Sequence, residues 1–318
     1  MSRTKRRSRR RRPIYVESRI RAPMERVWEA TQQPEHHQRW DVRFGTISYL
    51  PRADGEPQRF TYATTVGPGV TVAGTGQSLG DRDRPDGTRW SGLEFWAADH
   101  RSIIDAGAGY WRYIPTDDGV RFLTRYDYRP RWGRAGELID RWIFRPLFGW
   151  ATAWSFDRLR VWLEDGTPPE RSRDQAVARA TAVGGLAGAW LYQGLVPKLW
   201  KTDRGEVEIW RNLGLTDTWA KRAVRAAGAA EVGFAAATIA GSRRRWPFAL
   251  TLAAMPALAV GAARRDRSVL TKAFNPASLN LAMAALAGVA LATTGGRPSG
   301  RRPLRHAPDH QPPVGELP

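Results

Sequence analysis

A lysine closes a long apolar run in this chain: Ala189-Trp190-Leu191-Tyr192-Gln193-Gly194-Leu195-Val196-Pro197-Lys198-Leu199-Trp200. Such a run belongs in a bilayer or a deep core, and a charge at mid-bilayer costs at least ~2.5–3.5 kcal/mol, so Lys198 marks a site of interest. The chain divides about this stretch. The residues on its N-terminal side alternate like strands, and those on its C-terminal side form apolar helical segments. Four such segments stand out, residues 180–197, 226–240, 246–263 and 276–294. Most hold roughly 18 residues, which at ~1.5 Å per residue is about 27 Å, close to the ~30 Å of a bilayer core. Apolar residues surround each segment instead of forming one stripe, which suits lipid or deep burial better than a surface helix. Gly184 with Gly188 and Ala229 with Gly233 give small residues at the spacing of close membrane packing. Trp200, Trp219 and Trp246 stand at segment ends, as in an interfacial belt.

Composition removes several chemistries. With no cysteine, the chain has no disulfide, thiolate metal site, iron–sulfur cluster or cysteine nucleophile. Its five histidines, His36, His37, His100, His306 and His310, all lie outside the apolar helices, which argues against haem ligation within them. The formal charge of +19 is loaded on the ends, residues 2–12 and Arg297, Arg301, Arg302 and Arg305. A polybasic tail attracts any polyanion. No aromatic-interleaved basic surface or recognition motif accompanies it, so the expected partner is anionic membrane lipid and not nucleic acid.

The first half reads as an α+β domain. Ile14, Val16, Ser18 and Ile20 alternate with Tyr15, Glu17, Arg19 and Arg21, the period of a half-buried strand. No secretory apolar stretch succeeds the basic start, so this domain and both ends of the chain are expected in the cytoplasm. Pro23 and Pro34 each open a short helix. Strand candidates come next at 45–50, 58–66, 70–79, 88–97, 102–114 and 120–129, separated by turn clusters such as Gly67-Pro68-Gly69 and Asp117-Asp118-Gly119. Their spacing predicts an antiparallel meander. In the last strand Val120, Phe122, Thr124, Tyr126 and Tyr128 share one face, which needs a cover. The expected cover is a helix over 137–164, with Leu138, Ile139, Trp142, Ile143, Leu147, Trp150, Ala151, Trp154 and Leu159 as its stripe and a kink at Pro146.

Ile20-Arg21-Ala22-Pro23-Met24-Glu25-Arg26-Val27-Trp28, Trp40-Asp41 and the terminal Trp154-Ser155-Phe156-Asp157-Arg158-Leu159-Arg160 make residues 13–165 resemble the SRPBCC superfamily of START-like, polyketide cyclase and lipid-transport proteins. The resemblance implies a helix-grip fold, an antiparallel sheet wrapped on a long C-terminal helix around an apolar cavity. The aromatics available to line it are Phe60, Tyr62, Trp90, Trp96, Tyr110, Phe122, Tyr126 and Trp154, although the same rings would equally fill a core. His36-His37 beside Asp41, and Asp99-His100, pair an imidazole with a carboxylate. Both are expected at exposed element ends, so no catalytic residue is assigned.

Residues 166–175 read as a Pro-rich linker, 176–296 as the second domain and 297–318 as a disordered basic tail like residues 1–12. Within the second domain Gly194-Leu195-Val196-Pro197-Lys198, Gly228-Ala229-Ala230-Glu231-Val232-Gly233 and Phe274-Asn275-Pro276-Ala277-Ser278-Leu279-Asn280 occur in that order. They resemble the DoxX-like family and imply an all-α four-helix transmembrane bundle. If the helices run antiparallel, Lys198 and Glu231 start near one membrane face and pair there, with Asn275 and Asn280 completing a polar cluster. Lys and Arg in the connections balance on the two sides, so charge does not orient the bundle.

The expected function is binding or transfer of a hydrophobic small molecule, of lipid, polyketide or isoprenoid type, by a cytoplasmic helix-grip domain of a multi-pass membrane protein. No metal or cofactor is expected under this reading. The alternatives are a polyketide cyclase-type enzyme, or a membrane subunit that works with other membrane subunits in a quinone-linked oxidoreductase. In the last case quinone would sit between Lys198 and Glu231.

Overall fold

The structure is a computed structural model that describes residues 12–65, 69–265, 267–271, 275–295 and 298–307. The basic residues before Arg12, the Gly67-Pro68 turn, Lys272, Phe274, Arg297 and His310 lie outside the described residues. The described residues form two compact units, one of residues 12–172 with 298–307 and one of residues 173–295.

In the first unit, strand β1 (Ile14–Ile20) leads into helices α1 (Met24–Gln32) and α2 (Pro34–Trp40). Pro23 and Pro34 stand where a missing N–H costs nothing, just before and at the first helical position. Six further strands are β2 (Thr46–Tyr49), β3 (Arg59–Thr65), β4 (Thr71–Asp83), β5 (Arg89–Trp96), β6 (Ile104–Thr116) and β7 (Gly119–Pro130). They form one antiparallel sheet in the order β1-β7-β6-β5-β4-β3-β2, so every neighbour except β1 is a hairpin partner. β1 closes the far edge by pairing with β7, Val16 opposite Thr124 and Ile20 opposite Val120. The unit ends in helix α3 (Gly133–Ile139), a π-helical turn at Asp140–Phe144 and helix α4 (Arg145–Asp165). This is a helix-grip arrangement.

Helix α4 covers the sheet with a face that shares only Leu159 with the expected stripe. Ala153, Phe156, Leu159 and Leu163 are buried in the core with Val16, Val27, Trp40, Tyr113 and Phe122. Leu138, Ile139, Trp142, Ile143, Leu147 and Trp150 are exposed, Trp142 by 70%. Leu147 and Trp150 lie beyond the π turn in the same regular helix as Phe156 and Leu159, so the exposed and buried sets are opposite sides of α4, both of them apolar. Pro146 occupies the first turn of α4 and is not the site of irregularity, which lies one turn earlier. The segment 298–307 is ordered in part: Leu304 exchanges both main-chain hydrogen bonds with Glu17 at 2.9 Å. The stretch expected as a linker is shorter than 166–175, because helix α5 (Pro169–Gly194) begins after three non-helical residues.

In the second unit, α5 ends in a π turn, Leu195–Trp200, succeeded by the short helix α6 (Arg204–Arg211), then α7 (Asp217–Ala240), α8 (Trp246–Arg265) and α9 (Pro276–Ala292). Ala182 and Leu186 of α5 pack with Phe248 and Met255 of α8 and Met283, Ala284, Ala287 and Ala290 of α9. Trp190 of α5 meets Phe234 of α7 edge to face at 5.0 Å. Two of the described helices are long and apolar enough to cross a bilayer: α7, with mean hydropathy 1.2, and α8, with 1.5. Helix α9 is apolar but only 17 residues long. α5 carries charge in its first turns, and its buried Arg179 is a feature that hydropathy hides. The guanidinium donates to the carbonyls of Ala290 and Ser242 and to Thr294 Oγ1 at 3.0 Å, and stacks on Phe248 at 4.9 Å. It thereby satisfies main-chain acceptors where α9 ends and α7 turns into α8.

Candidate functional site

Between the sheet and α4 lies a cavity of about 1360 Å³. Its size has a local cause in β3, β4 and β5. Phe60 and Tyr62 of β3 lie flat over Gly76 and Gly74 of β4, to which they are paired in the ladder. A Cβ on Gly76 would come within 2.2 Å of the Phe60 ring, and one on Gly74 within 2.3 Å of Tyr62. Phe95 of β5 covers Gly107 of β6 in the same way. Glycine here lets the rings sink onto the sheet, so they line the cavity without filling it. The wall is completed by Phe44, Trp111, Thr124, Tyr126, Phe144 and Phe148, and the lining reaches the surface at the exposed Trp132, Ile139 and Leu147 beside half-buried Ala151, and also at Tyr49, Arg52, Glu56 and Leu79.

Of the aromatics expected to line a cavity, Phe60, Tyr62 and Tyr126 do so. Tyr110 borders it, but strand alternation places its ring on the opposite face of the sheet, 4.8 Å from Trp90. Trp90 shares that second cluster with Tyr15 and Leu123, beneath the guanidinium of Arg112 at 4.6 Å. Trp96 has the parity of Trp90 and also faces away, while Ser91, Leu93 and Phe95 face in. Phe122 is wholly buried in the closed core, stacked on Phe156 at 4.5 Å. Trp154 stacks on Trp150 at 6.0 Å on another side of α4. These placements correct the lining assigned to Trp90, Trp96, Phe122 and Trp154.

One pole of the cavity is polar, and its members come from α2 and the turn after it. Asp41, fully buried at the end of α2, accepts five hydrogen bonds. Oδ1 takes the Arg43 main-chain N–H at 3.1 Å, Arg43 Nε at 2.9 Å and Ser155 Oγ at 3.1 Å; Oδ2 takes Arg43 Nη2 at 2.5 Å and His37 Nε2 at 3.1 Å. The segment is held there by α4. Buried Arg158 donates to the carbonyls of Trp40 at 3.0 Å and Arg39 at 2.9 Å, the last acceptors of α2, and Ser155 accepts the Val42 N–H at 3.0 Å.

His37 and Arg43 both line the cavity. This corrects the expectation that the His37–Asp41 pair lies on the exposed surface, since the His37 side chain is only 13% accessible. His37 packs between Trp40, Phe44 and Trp111 at 4.9–5.3 Å. Burial lowers its pKa, and the opposing pull of Asp41 does not restore it, so the ring is neutral near pH 7. Burial alone would raise the Asp41 carboxyl, but the Arg43 guanidinium and the hydrogen bonds from Arg43 and His37 more than offset it and hold it well below the usual range. Arg43 in turn lies over the faces of Phe44, Tyr126 and Phe148 at 5.4–5.7 Å. The other pair, Asp99 and His100, remains at the surface, with Asp99 bound to Arg101.

In the second unit Lys198 Nζ donates to both Glu231 oxygens at 2.7 and 2.9 Å and lies 3.7 Å from Glu206, a third member that hydropathy alone does not single out. The contact depends on Gly194 and Gly228, whose backbones touch. A Cβ on Gly228 would lie 2.7 Å from the Gly194 carbonyl oxygen. Asn275 caps α9 by accepting the Ser278 N–H at 2.8 Å. Among the described residues, no hydrogen bond links Asn275 or Asn280 to Lys198 or Glu231.

Residues 187–288 match the model of the DoxX-like family. The chain is 40% identical over 211 residues to "Uncharacterized membrane protein YndG" of Bacillus subtilis, an alignment spanning 66% of this chain and 77% of that protein. Solved structures similar to the first unit include three with low identity. A Thermus thermophilus protein is 17% identical, covering 49% of this chain and 99% of its own, with a TM-score of 0.38. A STAR-related lipid transfer protein from Xanthomonas axonopodis is 17% identical, covering 47% and 84%, also with a TM-score of 0.38. The Zhui aromatase/cyclase of Streptomyces is 15% identical, covering 43% and 87%, with a TM-score of 0.34. The extent and identity of the YndG alignment, with the DoxX-like match falling in the helical unit, place this chain in the family of the Bacillus subtilis membrane protein YndG.

Proposed function

We propose that this membrane protein binds a hydrophobic small molecule in the cavity of its first unit and exchanges it with the bilayer. The observation that carries the reading is the cavity itself, about 1360 Å³ walled by aromatic and aliphatic side chains and kept open by ring-over-glycine packing. Its mouth supports exchange with lipid. On this reading the ligand passes the apolar side, where Trp132, Ile139 and Leu147 continue into the exposed Leu138, Trp142 and Ile143, a run of large apolar side chains of the kind that marks an interaction surface. Helices α5, α7, α8 and α9 form the membrane anchor, with both ends of the chain on the cytoplasmic side. The basic residues that precede Arg12 associate with anionic lipid. Lys198, Glu231 and Glu206 hold the π turn of α5 against α7 and α6.

Ala151, at the mouth, offers a test that leaves the core untouched. The organic extract of full-length protein purified in mild detergent should contain a defined apolar compound, and Ala151→Trp, which plugs the opening, should lose most of it. Equal recovery from both proteins would place the bound compound outside the cavity.

A further inference from the structure

The polar pole of the cavity constrains the head of whatever binds there, through the donors and acceptors it leaves open. Asp41 is saturated: its two oxygens already accept five hydrogen bonds. It therefore orients its neighbours and has no capacity left for a ligand. Arg43 uses Nε and Nη2 on Asp41 and also meets the Tyr126 hydroxyl, which still leaves at least one of its five N–H donors uncommitted. The Tyr126 hydroxyl is held between Arg43, from which it accepts, and Thr152 Oγ1, 2.7 Å away. The Arg43 side chain is 7% accessible and borders the cavity, so its remaining donor edge has no ready exit to bulk water. His37 spends one ring nitrogen on Asp41. Because the acceptor is a carboxylate, that nitrogen carries the proton, and Nδ1 is left as a lone-pair acceptor with no partner among the described residues.

We infer that this pole recognises the hydroxyl of an uncharged amphiphile, an apolar chain or ring system ending in an alcohol, with an uncommitted Arg43 N–H donating to the hydroxyl oxygen and His37 Nδ1 accepting its proton. The inference rests on the cavity being the ligand site. A hydroxyl is the small group that donates and accepts at one atom, so it satisfies both open positions at once. A hydrocarbon end would leave a buried guanidinium edge and an imidazole lone pair unsatisfied, and burying such groups without partners is costly. A carboxylate would satisfy Arg43 but would present no proton to His37. It would also bring a second negative charge beside Asp41, whose charge Arg43 already neutralises. The aromatic faces around His37 and Arg43 fix both groups in place, so the selection is made by a rigid pair.

The probes are phytanol, phytanic acid and phytane, one branched chain with an alcohol, an acid or a hydrocarbon end. Each is supplied in phosphatidylcholine nanodiscs to the full-length protein, and retention is read by extraction and mass spectrometry against the same nanodiscs carrying Ala151→Trp. Phytanol should be held about tenfold or more tightly than either of the others, the difference expected for one buried hydrogen-bonded head group. His37→Phe keeps the ring stacking and removes the acceptor. It should hold phytane more tightly than the wild type does, because no lone pair is then left without a partner, while its preference for phytanol falls to within about twofold. Equal retention of all three by the wild type, or a preference for phytanic acid, would overturn the inference and leave the cavity reading standing. An unchanged phytanol preference in His37→Phe would overturn the role of His37. Failure to retain any of the three above the Ala151→Trp background would count against the cavity as the ligand site, and the inference would fall with it.

Discussion

Replacing Asp41 by alanine is expected to destabilise the first unit by about 3–5 kcal/mol, because it leaves the guanidinium of Arg43 buried without its counter-charge. The side chain lost is fully buried and joins three parts of the unit. It binds His37 of α2, Arg43 of the adjoining turn and Ser155 of α4. The Trp40 ring and Phe156 pack close by, so water cannot enter freely to take over those bonds. Chemical denaturation of the full-length protein, monitored by near-ultraviolet circular dichroism, should show the first unit unfolding at a clearly lower denaturant concentration. The double substitution Asp41→Asn with Arg43→Met removes both charges and should recover much of the loss, as replacement of buried ion pairs by neutral groups commonly does. A loss below about 1 kcal/mol in Asp41→Ala, the range of an exposed ion pair, would show that Arg43 reaches solvent and that the pole is not sealed.

Gly228→Val is expected to disrupt the second unit by at least the ~1–3 kcal/mol of an overpacked core. The reason is that the two nearest obstructing atoms are a backbone oxygen and a Cβ, which move only with the main chain. A Cβ on Gly228 would lie 2.7 Å from both the Gly194 carbonyl oxygen and the Lys198 Cβ, and a Cβ on Gly194 would meet the Gly228 oxygen at 2.6 Å. No rotamer change relieves such a clash, so α5 and α7 must separate, and Lys198 must leave Glu231. Thermal aggregation of the detergent-solubilised protein should begin at a lower temperature in Gly228→Val. Gly233→Ala, at a position with nothing near the added Cβ, should behave as the wild type does. Equal stability of Gly228→Val and wild type would mean that the two helices do not approach closely at this point.

The parts of the fold that can be read from the residues are those set by local rules. The alternation of Val120, Phe122, Thr124, Tyr126 and Tyr128 identifies the inner face of β7, and the prolines at 23 and 34 mark α1 and α2, because strand period and the missing proline N–H act within a few residues. Alternation gives the parity of a strand without saying which parity faces inward. In β5 both sides of the sheet carry rings, so the large Trp90 and Trp96 attract attention while Ser91, Leu93 and Phe95 line the cavity. A stripe counted along the covering helix fails for a similar reason. Both sides of α4 are apolar, so the large Leu147, Trp150 and Trp154 draw the count while Ala153, Phe156 and Leu163 face the core.

The polar pole shows the limit most plainly. His37 and Asp41 at spacing four are visible on any reading of α2, but their burial comes from Ser155 and Arg158, more than 110 residues away in the chain. The usable signal is the pair Gly74 and Gly76 at strand period opposite Phe60 and Tyr62, which marks a sheet face cleared for a ligand.

Photolabelling locates the bound molecule most directly. An apolar diazirine probe, equilibrated with the full-length protein in nanodiscs and activated by light, leaves adducts that peptide mass spectrometry assigns to residues. The cavity account predicts adducts on Phe60, Tyr62, Phe95 and Phe148 that competing phytanol suppresses, beside unsuppressed labelling of the lipid-facing helices. Labelling confined to 217–292, with β3, β5 and α4 unmarked, would contradict it and move the ligand to the helical unit.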